Sequence, residues 1–278
     1  MIPKRIHYCW FGNNELPEMA RKCIESWKTY LPGYEIKEWN ESNFDINCCP
    51  YIEEAYKAKK WAFVSDFARF KILNQYGGLY FDTDVEVIAP LDDVIMQGPF
   101  MGCEASTQAT KSGKEIVIKI NPGLGMAATV NMPVISSIID VYQKRHFINE
   151  DGSQDITTIV ETTTNILKDN GFDASKGDSI QYIGGFNLYP SDYFCPLDYC
   201  TGKVTKTSNT RTIHWYSSTW FTQGQQAEKK IIQFTSKFGR ASYTMERVIS
   251  FPVRVWNKLR ILGIKNTIKF SIKKITSK

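Results

Sequence analysis

The 278-residue chain reads as an α/β fold built on one mostly parallel sheet, and three observations predict it. Strand-like and helix-like segments alternate from residue 2 to residue 88, the pattern of a sheet with helices on its faces. A Gly77-Gly78 pair closes a long helical pattern and opens an acidic, β-branched run. No internal repeat or low-complexity segment competes with a single sheet.

Taken in order, residues 2–8 alternate toward a strand. Pro17 to Leu31 is predicted as a helix because Ala20, Cys23, Ile24, Trp27, Tyr30 and Leu31 recur at helical spacing, and Pro32-Gly33 ends it. Tyr34 to Trp39 gives a second strand. Tyr51 to Tyr76 reads as one or two helices with the glycine pair at the C-terminal cap. Residues 79–88, LYFDTDVEVI, read as one continuous strand. Farther on, KEIVIKINPGLGMAA predicts a strand running into a glycine turn, Val134 to His146 and residues 155–170 predict helices, and residues 180–220 predict short strands and turns.

Charge divides the chain in two. Residues 229–278 hold 13 Lys or Arg against one acidic residue, Glu246, a net of +12, whereas residues 1–228 hold 21 basic and 28 acidic residues, a net of −7. The expected organisation is therefore a catalytic domain over 1–228 and a basic amphipathic helical segment over 229–278. In that segment Val248, Phe251, Val255, Leu259 and Leu262 fall at helical spacing beside a stripe of Arg247, Arg254, Lys258, Lys265 and Lys269. This is the pattern of an interfacial helix drawn to anionic lipid, so peripheral membrane contact through 247–278 is expected. Nucleic acid is not expected as a partner, since the body is acidic and no nucleic-acid module is visible. No run is long and apolar enough for a signal peptide or a membrane span, so the expected location is the cytoplasm, at the cytoplasmic face of the inner membrane. The seven cysteines show no Cys-x-x-Cys pair and read as reduced thiols.

Strand alternation puts Tyr80, Asp82, Asp84 and Glu86 on one face and Phe81, Thr83, Val85 and Val87 on the other. Neighbouring aspartates repel unless solvent or a cation lies between them. Such all-oxygen ligands suit Mn2+ or Mg2+, which complete their shells with water and substrate phosphate. A lone Asp-x-Asp is more often the wet side of an ordinary strand, but here the preceding helix carries Asp66 and Arg69 on one face, three residues apart. No Gly-rich phosphate loop is present, so phosphate must be held some other way.

The run AFVSDFARFKILNQYGGLYFDTDVEV, with HYCWFG at the start and IHWYSSTW late in the chain, resembles glycosyltransferase family 32, the sugar transferases with the DXD motif. More distantly it is similar to the glucosyltransferase domains of clostridial toxins. The resemblance is dense over residues 1–104, returns at 213–221, and implies the GT-A fold and a nucleoside diphosphate sugar as donor. It implies that Trp10 stacks on the base, and that Asp66 and Arg69 contact the sugar hydroxyls and the phosphate side. Tyr80 and Asp82 are implied at the ribose and sugar, and Asp84 in direct contact with the metal. His214 and Ser218 remain alternatives for completing the metal site, with Trp220 on the diphosphate. The Gly-Pro that often starts a helix near the acceptor site in that family is missing from VETTTNILKD, and Asn121 in NPGLG is a candidate on the acceptor side.

The function so implied is metal-dependent transfer of a hexose from a nucleoside diphosphate sugar, UDP-linked by expectation, to a saccharide or lipid-linked acceptor in bacterial capsule or O-antigen synthesis. Retention of configuration is implied, by a front-face route, because no carboxylate pair reads as nucleophile and acid. Two rivals stand beside it. YFDTDVEV also fits the nucleophile motif of haloacid dehalogenase-like phosphatases, with Asp82 attacking, although that motif normally follows a domain's first strand. A non-catalytic nucleotide-sugar-binding module is the other, against the retention of every charged residue of the pattern.

Overall fold

The computed structural model describes residues 1–110, 113–177, 179–217, 223–241, 244–246 and 248–256. The chain divides into two compact units, one of residues 1–105, 117–197 and 204–217, the other of 106–116, 198–203 and 218–278.

The first unit opens with β1 (Arg5–Cys9), α1 (Glu18–Tyr30), β2 (Glu35–Trp39), α2 (Pro50–Lys57), α3 (Trp61–Tyr76), β3 (Gly78–Tyr80), β4 (Val85–Val87) and α4 (Asp92–Ile95). The chain continues through β5 (Phe100–Thr110) and β6 (Gly113–Ala128), whose residues 106–116 belong to the second unit, then α5 (Pro133–Gln143), α6 (Ile159–Asp169), β7 (Gln181–Ile183), β8 (Phe186–Tyr189), α7 (Ser191–Phe194) and β9 (Thr212–His214). Seven strands form a mixed sheet in the order β2-β1-β3-β6-β5-β8-β7, with β1 parallel to β2 and β3 and with β3 antiparallel to β6.

Period-two alternation sorts the sheet's side chains into two cores. Leu79 and Ala127 enter one with Trp27 of α1, and Tyr80, Met126 and Ala128 enter the other with Phe67 and Phe70 of α3. The helix read from Pro17 to Leu31 is there because Ala20, Cys23, Ile24 and Trp27 form its buried face. All seven cysteines are free thiols.

The predicted strand over 79–88 is corrected by the structure. It ends at Tyr80, residues 82–85 form a turn closed by the Val85 amide on the Asp82 carbonyl at 3.0 Å, and β4 then pairs with β9 in a separate two-stranded sheet. The cause lies far off in sequence: Val85 takes His214 as its antiparallel partner, and the Trp27 indole donates to the Val85 carbonyl at 2.7 Å.

Gly77 and Gly78 both have positive φ, and a Cβ on Gly78 would stand 2.7 Å from the Arg5 carbonyl oxygen. The pair therefore lets α3 reverse directly into β3 beside β1. Fully buried His7 fastens that reversal: its Nε2 donates to the Gly77 carbonyl at 2.9 Å while its Nδ1 accepts from the Trp39 indole at 3.0 Å. Both bonds require the neutral ring, and burial lowers its pKa to about 4.

In the second unit, α8 (Gln223–Thr235) is followed by a 3-10 turn over Ser236–Ala241 and helical residues 248–256. Arg254, placed by the sequence reading in the basic stripe, instead bonds Glu228 at 2.6 Å and Glu246 at 2.7 Å within the unit. Phe234, Phe238, Val248, Phe251 and Trp256 are exposed. Arg247, Lys258, Leu259, Leu262, Lys265 and Lys269 lie outside the described residues. Among the described residues no helix is long and apolar enough to cross a membrane.

Candidate active site

The carboxyl ends of β1 and β3, the inner turn of α3, the middle of β6 and the end of β9 converge in the first unit. The turn after β3 separates the two motif aspartates and gives each its own partners.

Asp82 belongs to the α3 side. Arg69, 4% exposed, reaches from α3 with Nη2 3.0 Å from Asp66 Oδ1 and 3.1 Å from Asp82 Oδ1, and its Nε donates to the Ser65 carbonyl at 3.3 Å. Its guanidinium lies over the Tyr80 ring, 5.0 Å from the centroid, and the Tyr80 hydroxyl donates to Asp82 Oδ1 at 3.1 Å. The arginine thus bridges two carboxylates that would otherwise repel. Burial raises the Asp66 pKa to about 6, against the lowering pull of Arg69, and Asp82 is likewise raised by burial. The first amide of α6, on Ile159, also bonds Asp66, so the helix lacking Gly-Pro begins at the Asp66 carboxylate.

Asp84 belongs to the β9 side. His214 Nε2 lies 3.1 Å from Asp84 Oδ1, and Ser217 donates to Oδ2 through its amide at 2.8 Å and its hydroxyl at 2.9 Å. Burial alone would raise the Asp84 pKa; the charge and hydrogen bond of His214, then Ser217, outweigh it and hold the carboxyl well below the usual range. The same pairing raises the His214 pKa in spite of the ring's burial. His214 Nδ1 is buried with no hydrogen-bond partner.

A third group spans the two. Asn121 on β6 accepts the Gly123 amide at 2.8 Å, and Gly123 in turn accepts the Asp82 amide at 3.0 Å. Glu104 on β5 accepts from the Asn121 side chain at 2.7 Å and from the Tyr216 hydroxyl at 3.1 Å. The Tyr216 ring meets the His214 ring edge-on at 4.2 Å.

Among the described residues no group of three or more His, Cys, Asp or Glu side chains makes a ready metal cage. An ion such as Mn2+ or Mg2+ takes only one or two carboxylates from the protein and completes its shell with water and the substrate's own phosphates. Asp84, Asp82 and the unpartnered Nδ1 of His214 offer hard and borderline donors of the kind such an ion takes.

Of the residues read from sequence, Asp66, Arg69, Tyr80, Asp82, Asp84, His214 and Asn121 gather here. Trp10 stands just past the end of β1, partly exposed, its indole donating to the Asn14 carbonyl at 2.7 Å. Ser218 and Trp220 lie outside the described residues. Ser217, Tyr216, Glu104 and Gly123 were missed; only the two serines of IHWYSSTW carried a signal for one of them. Glu86, placed on the acidic face, instead accepts from the Trp215 indole at 2.9 Å.

Residues 17–101 match the family model described as "Glycosyltransferase sugar-binding region containing DXD motif". An uncharacterized glycosyltransferase of Acanthamoeba polyphaga mimivirus is 27% identical over 218 residues, covering 72% of this chain and 79% of the relative. Inositol phosphoceramide mannosyltransferase 3 of Schizosaccharomyces pombe is 32% identical over 98 residues, 34% of this chain and 27% of the relative. Among solved structures, the PaToxG glycosyltransferase aligns over 60% of this chain and 69% of its own, at 19% identity and a TM-score of 0.43.

Proposed function

We propose, on the premise that the chain is a distant glycosyltransferase with a DXD-type sugar-binding region, that it moves a hexose from a nucleoside diphosphate sugar to a saccharide or lipid-linked acceptor. The observation that carries this reading is the division of the two motif aspartates. Asp84 is kept ionised by His214 and Ser217, ready for a cation, and Asp82 is joined to Arg69, Asp66 and Tyr80, a polar surface suited to sugar hydroxyls.

In this reading Arg69 and Asp66 orient the sugar: a planar guanidinium fixes two oxygens and a carboxylate accepts from hydroxyls. Tyr80 holds Asp82 in place, and the partly exposed Trp10 stacks on the base. A divalent cation on Asp84, with Asp82 and His214 beside it, would supply charge neutralisation for the departing diphosphate. Manganese is the first choice, magnesium the second. With no second carboxylate among the described residues assigned as nucleophile, the route we propose is front-face transfer with retention. UDP-glucose and UDP-galactose are the donors to test first, and the mannosyltransferase relative adds a mannosyl donor. The +12 charge of 229–278 and the exposed Phe234, Phe238, Phe251 and Trp256 support peripheral contact with an anionic membrane on the cytoplasmic face, and with it a role in surface polysaccharide synthesis.

The test is hydrolysis of a panel of nucleotide sugars by the full chain, with Mn2+, Mg2+ or chelator, beside Asp84→Ala. Metal-dependent release of the nucleoside diphosphate, lost in the variant, supports the reading. Release of phosphate from a generic ester with no turnover of any sugar nucleotide would overturn it in favour of a phosphatase using Asp82.

A further inference from the structure

We propose that Glu104 is a positioning residue that fixes both motif aspartates at once, an inference that rests on the transferase reading for its kinetic consequences. One oxygen, Oε2, carries two branches. Along the first, the Asn121 amide donates to it at 2.7 Å, Asn121 Oδ1 accepts the Gly123 amide at 2.8 Å, and the Gly123 carbonyl accepts the Asp82 amide at 3.0 Å. The Asp82 carboxylate rests on that same glycine. Along the second, the Tyr216 hydroxyl donates at 3.1 Å, and the Tyr216 ring abuts His214, which meets Asp84 at 3.1 Å.

The backbone of Tyr216 gives independent support. Its φ of 47° lies in the left-handed region, which an L-residue enters only at a steric cost. Strain of this kind persists only where surrounding structure enforces it, and here it turns the ring from the path of β9 in between His214 and Glu104. The hydroxyl is further fixed by Cys195, whose Sγ lies 3.1 Å away. Asn121 is 7% exposed and its side-chain amide donates to Glu104, whose carboxylate accepts from two donors through a single oxygen. Glu104 comes from β5, outside the motif and outside α3, so it couples the α3 half of the site to the β9 half through the sheet.

The experiment compares Glu104→Ala and Glu104→Gln in the full chain. Three readouts are taken: kcat and KM for UDP-glucose hydrolysis or whichever donor the wild type turns over, the half-saturating Mn2+ concentration, and crystal structures of each variant. Glu104→Ala is expected to lower kcat about 10- to 100-fold, the usual weight of a group that orients ligands from behind, and to raise the Mn2+ requirement about tenfold, with KM moved less than about threefold. Glu104→Gln is expected to recover roughly tenfold of that loss, because its carbonyl oxygen still accepts from both donors. Tyr216→Phe should cost little further in the Glu104→Ala background, since its branch is already cut. Unchanged kcat in Glu104→Ala, or a loss matched by the fraction unfolded and not recovered by glutamine, overturns the proposal. Should the wild type turn over no sugar nucleotide, the transferase reading fails by itself. The structures then decide this inference: displaced Asp82 and His214 side chains in Glu104→Ala uphold it, and unmoved ones sink it.

Discussion

The carboxylate of Asp82 lies flat against Gly123: a Cβ on that glycine would stand 2.0 Å from Oδ2, far inside van der Waals contact. The obstacle is the tip of a side chain, so Gly123→Ala is relieved by turning Asp82 away. Stability should therefore fall by no more than about 1–3 kcal/mol, as for modest overpacking. Donor hydrolysis should fall about 100-fold, since the displaced group is one the reaction depends on. Urea denaturation beside single-donor kinetics checks both; full activity in a folded variant would refute the placement.

Arg69 joins two half-buried carboxylates, and removing it leaves Asp66 and Asp82 facing each other. Arg69→Leu should lose about 3–5 kcal/mol at neutral pH, the cost of uncompensated buried charge. The sign of its pH dependence follows from burial. Asp66, raised by burial to about 6 even beside Arg69, then loses that lowering pull and Asp82 loses it too, so the deficit grows as pH rises and shrinks as pH falls through about 6, where the Asp66 carboxyl takes up a proton. Denaturation at pH 5 and pH 8 tests this, and an equal deficit at both would contradict it.

Ser217 holds Asp84 through a hydroxyl and an amide, and Ser217→Ala removes only the hydroxyl. Half-saturating Mn2+ should rise about tenfold while the thermal midpoint barely moves, as expected for a group orienting a metal ligand. Titration of activity against Mn2+ is the measurement. No change would shift the weight to the backbone amide alone.

Buried neutral His7 predicts acid sensitivity. Its folded pKa of about 4 lies below the 6.5 of the free side chain, so the unfolded chain binds the extra proton. Stability is complete above about pH 6.5 and drops by about 3 kcal/mol as pH falls toward 4. Protonation would set an N–H on Nδ1 against the Trp39 indole N–H. His7→Gln should flatten this limb of the stability curve; an unaltered limb would assign acid loss elsewhere.

What could be read from sequence followed locality. The helix of Ala20, Cys23, Ile24 and Trp27, the glycine reversal, and the grouping of Asp66 and Arg69 are set within a few turns of chain, and each stands where expected. The break between Tyr80 and Val85 escaped because LYFDTDVEVI alternates throughout, and nothing local reveals that β4 pairs with β9. Period-two reasoning did bring Tyr80 and Asp82 together, but it also put Glu86 on their face of one strand, whereas the turn hands it to Trp215. Glu104 belongs to no motif and Gly123 looks like an ordinary turn glycine. Their roles come from contacts between strands, which spacing along one strand does not encode.

The pairing of β4 with β9 has a consequence during synthesis. Asp84 and Ser217 are 133 residues apart, so a ribosome exposes the motif long before the segment that completes it. A chain halted before Thr212 holds the strands of the large sheet, the glycine reversal and the arginine bridge, yet lacks the imidazole and hydroxyl that keep Asp84 charged. Closure of so long a loop is a late event in folding. On the proposed function, competence to bind a cation is thereby deferred until nearly the whole first unit has been made, and an unfinished chain would not consume donor.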